Sequence, residues 1–154
     1  MKFKKWPRSS KPEIEAAVNV LSSGRVNYWT GDECKSFEKE FANYVGSKFA
    51  VALANGTVAL EACYKAIDIK AGDEIITTPR TFIATSMAAI NLGAKPIFAD
   101  VDINTGCINH LTIESLITKK TKAISVVHIG GWPADMENIC KLAKKYKLYV
   151  IEDC

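Results

Sequence analysis

The stretch Phe49-Ala50-Val51-Ala52-Leu53-Ala54-Asn55-Gly56-Thr57-Val58-Ala59-Leu60-Glu61-Ala62-Cys63-Tyr64-Lys65-Ala66-Ile67 changes character at Asn55. Before it runs a nearly uninterrupted apolar segment, the pattern of a strand buried on both faces. After it, apolar residues fall at helical spacing, which predicts a helix over 57–67. The same alternation continues toward the end of the chain. Ile75–Thr78, Ile97–Ala99, Ala123–Val127 and Leu148–Glu152 repeat the strand signal. Helical stretches lie between them at about 82–92, 112–117 and 135–147, and Gly93 is placed to stop the first of these as a C′ residue. Strands alternating with helices predict an α/β class with a mostly parallel sheet and flanking helices, because parallel neighbours need crossover connections.

Working back from Phe49, the pattern is helical. Ser10 followed by Glu13 forms a capping signature, so a helix is expected over about 11–22, ending near Gly24. Arg25–Gly31 reads as an exposed loop carrying Tyr28 and Trp29. A second amphipathic helix brings Phe37, Phe41, Tyr44 and Val45 onto one side. The expected organisation is a helical segment over 1–48 followed by an incomplete α/β domain over 49–154. The final strand Leu148–Glu152 leads only to Asp153 and Cys154, with no covering helix after it, which reads as a truncated domain.

Composition narrows the class. The chain has 154 residues, 48% hydrophobic and 24% charged, with mean hydropathy +0.02, the profile of an ordinary globular chain. No apolar run approaches the roughly 20 residues that a bilayer requires, and Met1–Pro7 is followed by no signal-peptide h-region, so no membrane partner and a cytoplasmic location are expected. Five cysteines without a CxxC pair fit neither a disulfide framework nor a zinc site. The net charge of +3 is spread along the chain in small lysine groups: Lys2, Lys4 and Lys5; Lys119, Lys120 and Lys122; and Lys141, Lys144, Lys145 and Lys147. The last group lies opposite an apolar stripe of Met136, Ile139, Cys140, Ala143 and Tyr146, so it reads as a solvated helix face, and nucleic-acid binding is not expected.

In open α/β sheets ligands bind beyond the carboxyl ends of the strands. There the sequence places Asn55-Gly56-Thr57-Val58, whose glycine, open helix-start N–H groups and threonine hydroxyl outline a phosphate cradle. Helix capping by Asn55 or Thr57 explains the same residues equally well. Phe82, after the second predicted strand, puts an aromatic ring on this rim, where both a core role and ligand stacking are open. Asp100 and Asp102 read as solvated loop acids. His128, at the end of the fourth, reads as a hydrogen-bonded structural histidine rather than a catalytic one. Glu152 or Asp153, at the end of the fifth, should meet a cation, since a buried unpaired carboxylate is costly. A dinucleotide-binding domain also alternates strands and helices, yet the first predicted strand is followed by Asn55-Gly56-Thr57 and not by GxGxxG.

Five segments taken together resemble one family. Ala54–Leu60, Thr78–Thr85, Gly93–Asp102, Gly131–Met136 and Val150–Asp153 are similar, in order and spacing, to the DegT/DnrJ/EryC1/StrS aminotransferases. The resemblance runs from about residue 14 to the end. It implies the N-terminal part of the large domain of a fold-type-I pyridoxal-phosphate-dependent transferase. It further implies that Gly56, Thr57 and Val58 hold the cofactor phosphate, that Phe82 stacks on the pyridine ring, and that Asp153 faces the ring nitrogen. Tyr28 and Trp29 match a segment directed toward substrate. The implied activity is transamination of a nucleotide-linked keto sugar with L-glutamate as donor, in surface polysaccharide or deoxyamino-sugar biosynthesis, by a homodimer. The family's Schiff-base lysine is expected beyond Cys154, since none of the 17 lysines matches its motif. Members with histidine in place of that lysine are sugar dehydratases, and an inactive fragment is a further alternative.

Overall fold

The computed structural model describes residues 7–154, so Lys2, Lys4, Lys5 and the Met1–Trp6 stretch lie outside the described residues. The described residues divide into two compact units, with the boundary between Ala52 and Leu53. Among the described residues no helix is long and apolar enough to cross a membrane.

The first unit holds two helices, α1 (Lys11–Ser23) and α2 (Glu33–Val45). The Glu13 carboxylate accepts the Ser10 N–H, as the capping signature predicts, and this bond holds its pKa below the usual carboxylate value. Each helix ends on a left-handed glycine, Gly24 at φ 69° and Gly46 at φ 70°. Phe37 and Phe41 sit one turn apart on α2 with ring centroids 5.6 Å apart.

The predicted strand over Phe49–Ala54 does not form. Phe49 and Val51 are 75% and 73% exposed, and none of the four strands of the structure pairs with this segment. An apolar run becomes a strand only when a neighbour supplies ladder bonds and a covered face. Here the Ala52 N–H donates instead to a side chain, Glu38 Oε1, at 2.8 Å.

The second unit contains α3 (Gly56–Ala66), β1 (Glu74–Thr77), α4 (Ala84–Ile90), β2 (Lys95–Phe98), α5 (His110–Glu114), β3 (Thr121–Val127), α6 (Met136–Tyr146) and β4 (Tyr149–Asp153). The four strands form one sheet in the order β2-β1-β3-β4, and every pairing is parallel. Successive residues of the central strands feed opposite layers. Ile75 and Ala123 join Leu60, Tyr64, Ala84, Ala88 and Ile151 in one core. Ile76 and Ile124 join Ile113, Ile139, Leu142 and Ala143 in the other. Both faces are thus covered, by α3 and α4 on one side and α5 and α6 on the other. That is why β1 and β3 read as continuous apolar runs rather than alternating ones. Each fully buried isoleucine contributes about 1.5–3 kcal/mol of transfer free energy.

Local details refine the sequence reading. His110 opens α5, because Asn109 Oδ1 caps the helix by accepting the N–H groups of Leu111 and Thr112. The buried stripe of α6 is Ile139, Leu142 and Ala143, with Met136 packed beside it, while Cys140 is exposed. Gly93 follows α4 at φ 78°, and a Cβ there would stand 2.9 Å from that of Ala71, so the turn requires glycine.

Candidate cofactor site

The parallel order puts the carboxyl ends of all four strands on one rim of the second unit, and the candidate residues gather there. α3 begins at Gly56 because Asn55 caps it: Asn55 Oδ1 accepts the Val58 N–H at 3.0 Å. Of the two roles open for this segment, capping is therefore present. It leaves the N–H groups of Gly56 and Thr57 with no acceptor among the described residues, and a Cβ on Gly56 would meet nothing within 4 Å. Open N–H groups at a helix start, with clear space before them, suit an anion. Val58 stands differently, since its N–H is already engaged. The sequence suggested that a paired strand precedes this segment; irregular, unpaired backbone leads into it instead.

Asn55, Gly56, Thr57, Leu60, Phe82, Ala84 and Asp153 line one pocket of about 290 Å³. Phe82 lies just before α4 and is 76% exposed, so its ring is not a core side chain. Asp153 ends β4 in register with Val127 and is half-buried. Its Oδ2 accepts a hydrogen bond from Thr85 Oγ1 at 2.5 Å. The partner of this carboxylate inside the protein is thus a hydroxyl. Tyr64, wholly buried on α3, donates its hydroxyl to the Thr85 carbonyl at 3.1 Å. Burial, chiefly, pushes the Tyr64 pKa up, with the Asp153 charge adding to the effect.

The other candidates do not line this pocket. His128 Nδ1 accepts the Ala134 N–H at 3.1 Å, so its proton sits on Nε2, which donates to Glu152 at 3.0 Å. This is the satisfied structural histidine that the sequence suggested. Asp102 accepts the N–H groups of Thr105 and Asn104, which close its turn and lower its pKa. In the first unit, Tyr28 donates to Glu38 at 3.2 Å, which raises the tyrosine pKa, and Trp29 is 88% exposed with its ring edge-on to Tyr28. Thr85 was not singled out by sequence, because its partner lies 68 residues away.

This arrangement coincides with a match to known proteins. The family model of the DegT/DnrJ/EryC1/StrS aminotransferase family covers residues 7–154. The chain belongs to that family. A dTDP-3-amino-3,6-dideoxy-alpha-D-galactopyranose transaminase of Aneurinibacillus thermoaerophilus is 48% identical over 143 residues, covering 92% of this chain and 39% of the relative. The crystal structure of an aminotransferase from Psychrobacter cryohalolentis superposes with a TM-score of 0.97 at 52% identity, covering 99% of this chain and 39% of that one. NtdA of Bacillus subtilis, solved with its cofactor PMP bound, superposes with a TM-score of 0.86 at 34% identity, covering 93% of this chain and 33% of that one. Aminotransferases of this family therefore share the fold of the chain, which spans about two-fifths of the length of these relatives or less.

The residues present fit a pyridoxal phosphate. Open helix-start donors suit its phosphate, an exposed aromatic ring suits its flat face, and a carboxylate held by a hydroxyl suits a protonated ring nitrogen. All three line the same pocket.

Proposed function

We propose that this chain is the cofactor-binding part of a pyridoxal-phosphate-dependent aminotransferase that acts on a nucleotide-linked keto sugar with L-glutamate as amino donor. The observation that carries the reading is the convergence of Gly56, Thr57, Phe82 and Asp153 on one pocket of about 290 Å³. When bound, the cofactor supplies an electron sink that carries an amino group between two substrates.

The chain's own residues hold and orient that group. The N–H groups of Gly56 and Thr57, at the positive end of the α3 dipole, take the phosphate. Val58 adds its N–H only if Asn55 releases it. Phe82 stacks against the ring, and an aromatic contact of this kind is worth about 0.5–1.5 kcal/mol. Asp153, ionised, keeps the ring nitrogen protonated. Tyr28 and Trp29 are assigned to substrate. The lysine that moves the proton is assigned to sequence after Cys154, and the working form to a cytoplasmic homodimer.

The test uses the full-length protein mixed with pyridoxal phosphate. A visible absorbance band that shifts on adding glutamate is the expected result. Absence of any band with saturating cofactor refutes the assignment.

A further inference from the structure

The hydrogen-bond arithmetic around Thr85 has only one solution. Thr85 Oγ1 carries a single proton and has three close oxygens: Asp153 Oδ2 at 2.5 Å, Thr81 Oγ1 at 2.8 Å and the Phe82 carbonyl at 3.2 Å. An ionised carboxylate only accepts, so the Thr85 proton goes to Asp153, the shortest and charge-assisted contact. Thr81 must then donate its own proton to Thr85. The Phe82 carbonyl still accepts the Thr85 N–H at 3.3 Å. The result is a directed chain, Thr81 to Thr85 to Asp153. Its middle member is 1% exposed and is pinned from the other side by the Tyr64 hydroxyl on its carbonyl. Asp153 Oδ1 takes no donor among the described residues.

We propose that Thr85, backed by Thr81, is the positioning residue of the site. It fixes one oxygen of Asp153 and leaves the other for a cationic ring nitrogen. The proposal rests on the functional reading above, and it goes further by assigning two residues that touch neither cofactor nor substrate. Chains of hydroxyl donors polarise one another, so each bond strengthens the next. A carboxylate that accepts such a bond is held in one rotamer, with one oxygen engaged and the other turned to a pyridinium partner. Among the described residues no lysine, arginine or histidine side chain lies within ion-pair distance of the Asp153 carboxylate.

The experiment compares Thr85→Val, Thr85→Ser, Thr81→Val and Asp153→Asn in the full-length protein by three measurements: pyridoxal phosphate affinity, the carbon-13 NMR chemical shift of the Asp153 carboxyl at one fixed pH, and thermal unfolding. Thr85→Val should weaken the cofactor about tenfold or more, in line with loss of a hydrogen bond to a charged group, and should move the Asp153 carboxyl shift, which reports that bond. Thr85→Ser should restore both. Thr81→Val should give a smaller effect of the same sign. In an Asp153→Asn background, Thr85→Val should add nothing to the loss of affinity, because the residue acts through the carboxylate. A Thr85→Val that lowers only the melting temperature, or a Thr85→Ser that fails to restore the carboxyl shift, overturns the proposal. The functional reading fails separately: a wild-type protein that binds no pyridoxal phosphate refutes it, while the carboxyl shift still decides the role of Thr85. If Thr85→Val does not fold, Thr85→Ser and Thr81→Val decide alone, and an unmoved carboxyl shift in Thr81→Val counts against the relay.

Discussion

The two ends of the pocket are built by opposite means. At the Gly56 end the donors are main-chain N–H groups, offered because a helix begins there, and Asn55 fixes only the third of them. At the Asp153 end everything depends on side chains: a carboxylate from β4 and hydroxyls from α4 and the segment before it, brought together across 68 residues of sequence. Backbone donors survive most substitutions because every residue but proline has one. A side-chain network fails when one member changes. The first end should therefore tolerate mutation and the second should not.

The largest effect expected is at Asp153. Asp153→Asn keeps the shape and removes the charge, and transamination by the full-length protein should fall about 10²–10³-fold, the range seen when one preorganised electrostatic partner is lost. A loss below tenfold in steady-state rates would place the ring nitrogen elsewhere. Phe82 lies between the two ends. Phe82→Ala should weaken pyridoxal phosphate about three- to tenfold, measured by absorbance titration, and should leave the melting temperature unchanged because the ring is already exposed. Asn55→Asp sharpens the comparison by splitting two properties. A carboxylate at the helix start adds about 0.3–1 kcal/mol of stability through the dipole, yet it sets a negative charge beside the phosphate. The variant should melt higher and bind cofactor a few-fold more weakly. The smallest effect belongs to Val58→Ala: an exposed side chain whose residue contributes only an N–H should leave stability within about 0.5 kcal/mol and affinity unchanged. A large loss of affinity there would show that the backbone end depends on side chains after all.

The same division explains what could be read from the sequence. Ala123–Val127 and Phe49–Ala54 have similar apolar character, and only the first is a strand. Ile124 and its neighbours have β1 and β4 on either side and helices on both faces. Phe49 and Val51 have no pairing strand, and composition cannot announce the presence of a neighbour. Helix ends were more legible, because Ser10, Glu13, Gly24 and Gly93 act within a few residues of themselves. The strands of the second unit sit within a residue or two of their expected bounds for the same reason: their apolar runs coincide with two covered faces. Within the pocket, Gly56, Thr57, Phe82 and Asp153 came from local motifs and share one cavity. The engagement of Val58 by Asn55 and the Thr85 relay were not legible. The first needed a choice between capping and ligand binding, and the second needed two distant segments to be placed side by side.

An all-parallel sheet also has a far rim, where the strands start. There Gly72, Gly93, Lys119, Lys120 and Lys147 mark turns that feed β1, β2, β3 and β4, and none of the pocket residues lies among them. Amine-reactive labels, surface tethers or affinity tags attached at Lys119 and Lys120 would sit at the end of the second unit away from its chemistry, so immobilising the protein through that end should leave the pocket facing the bulk solution.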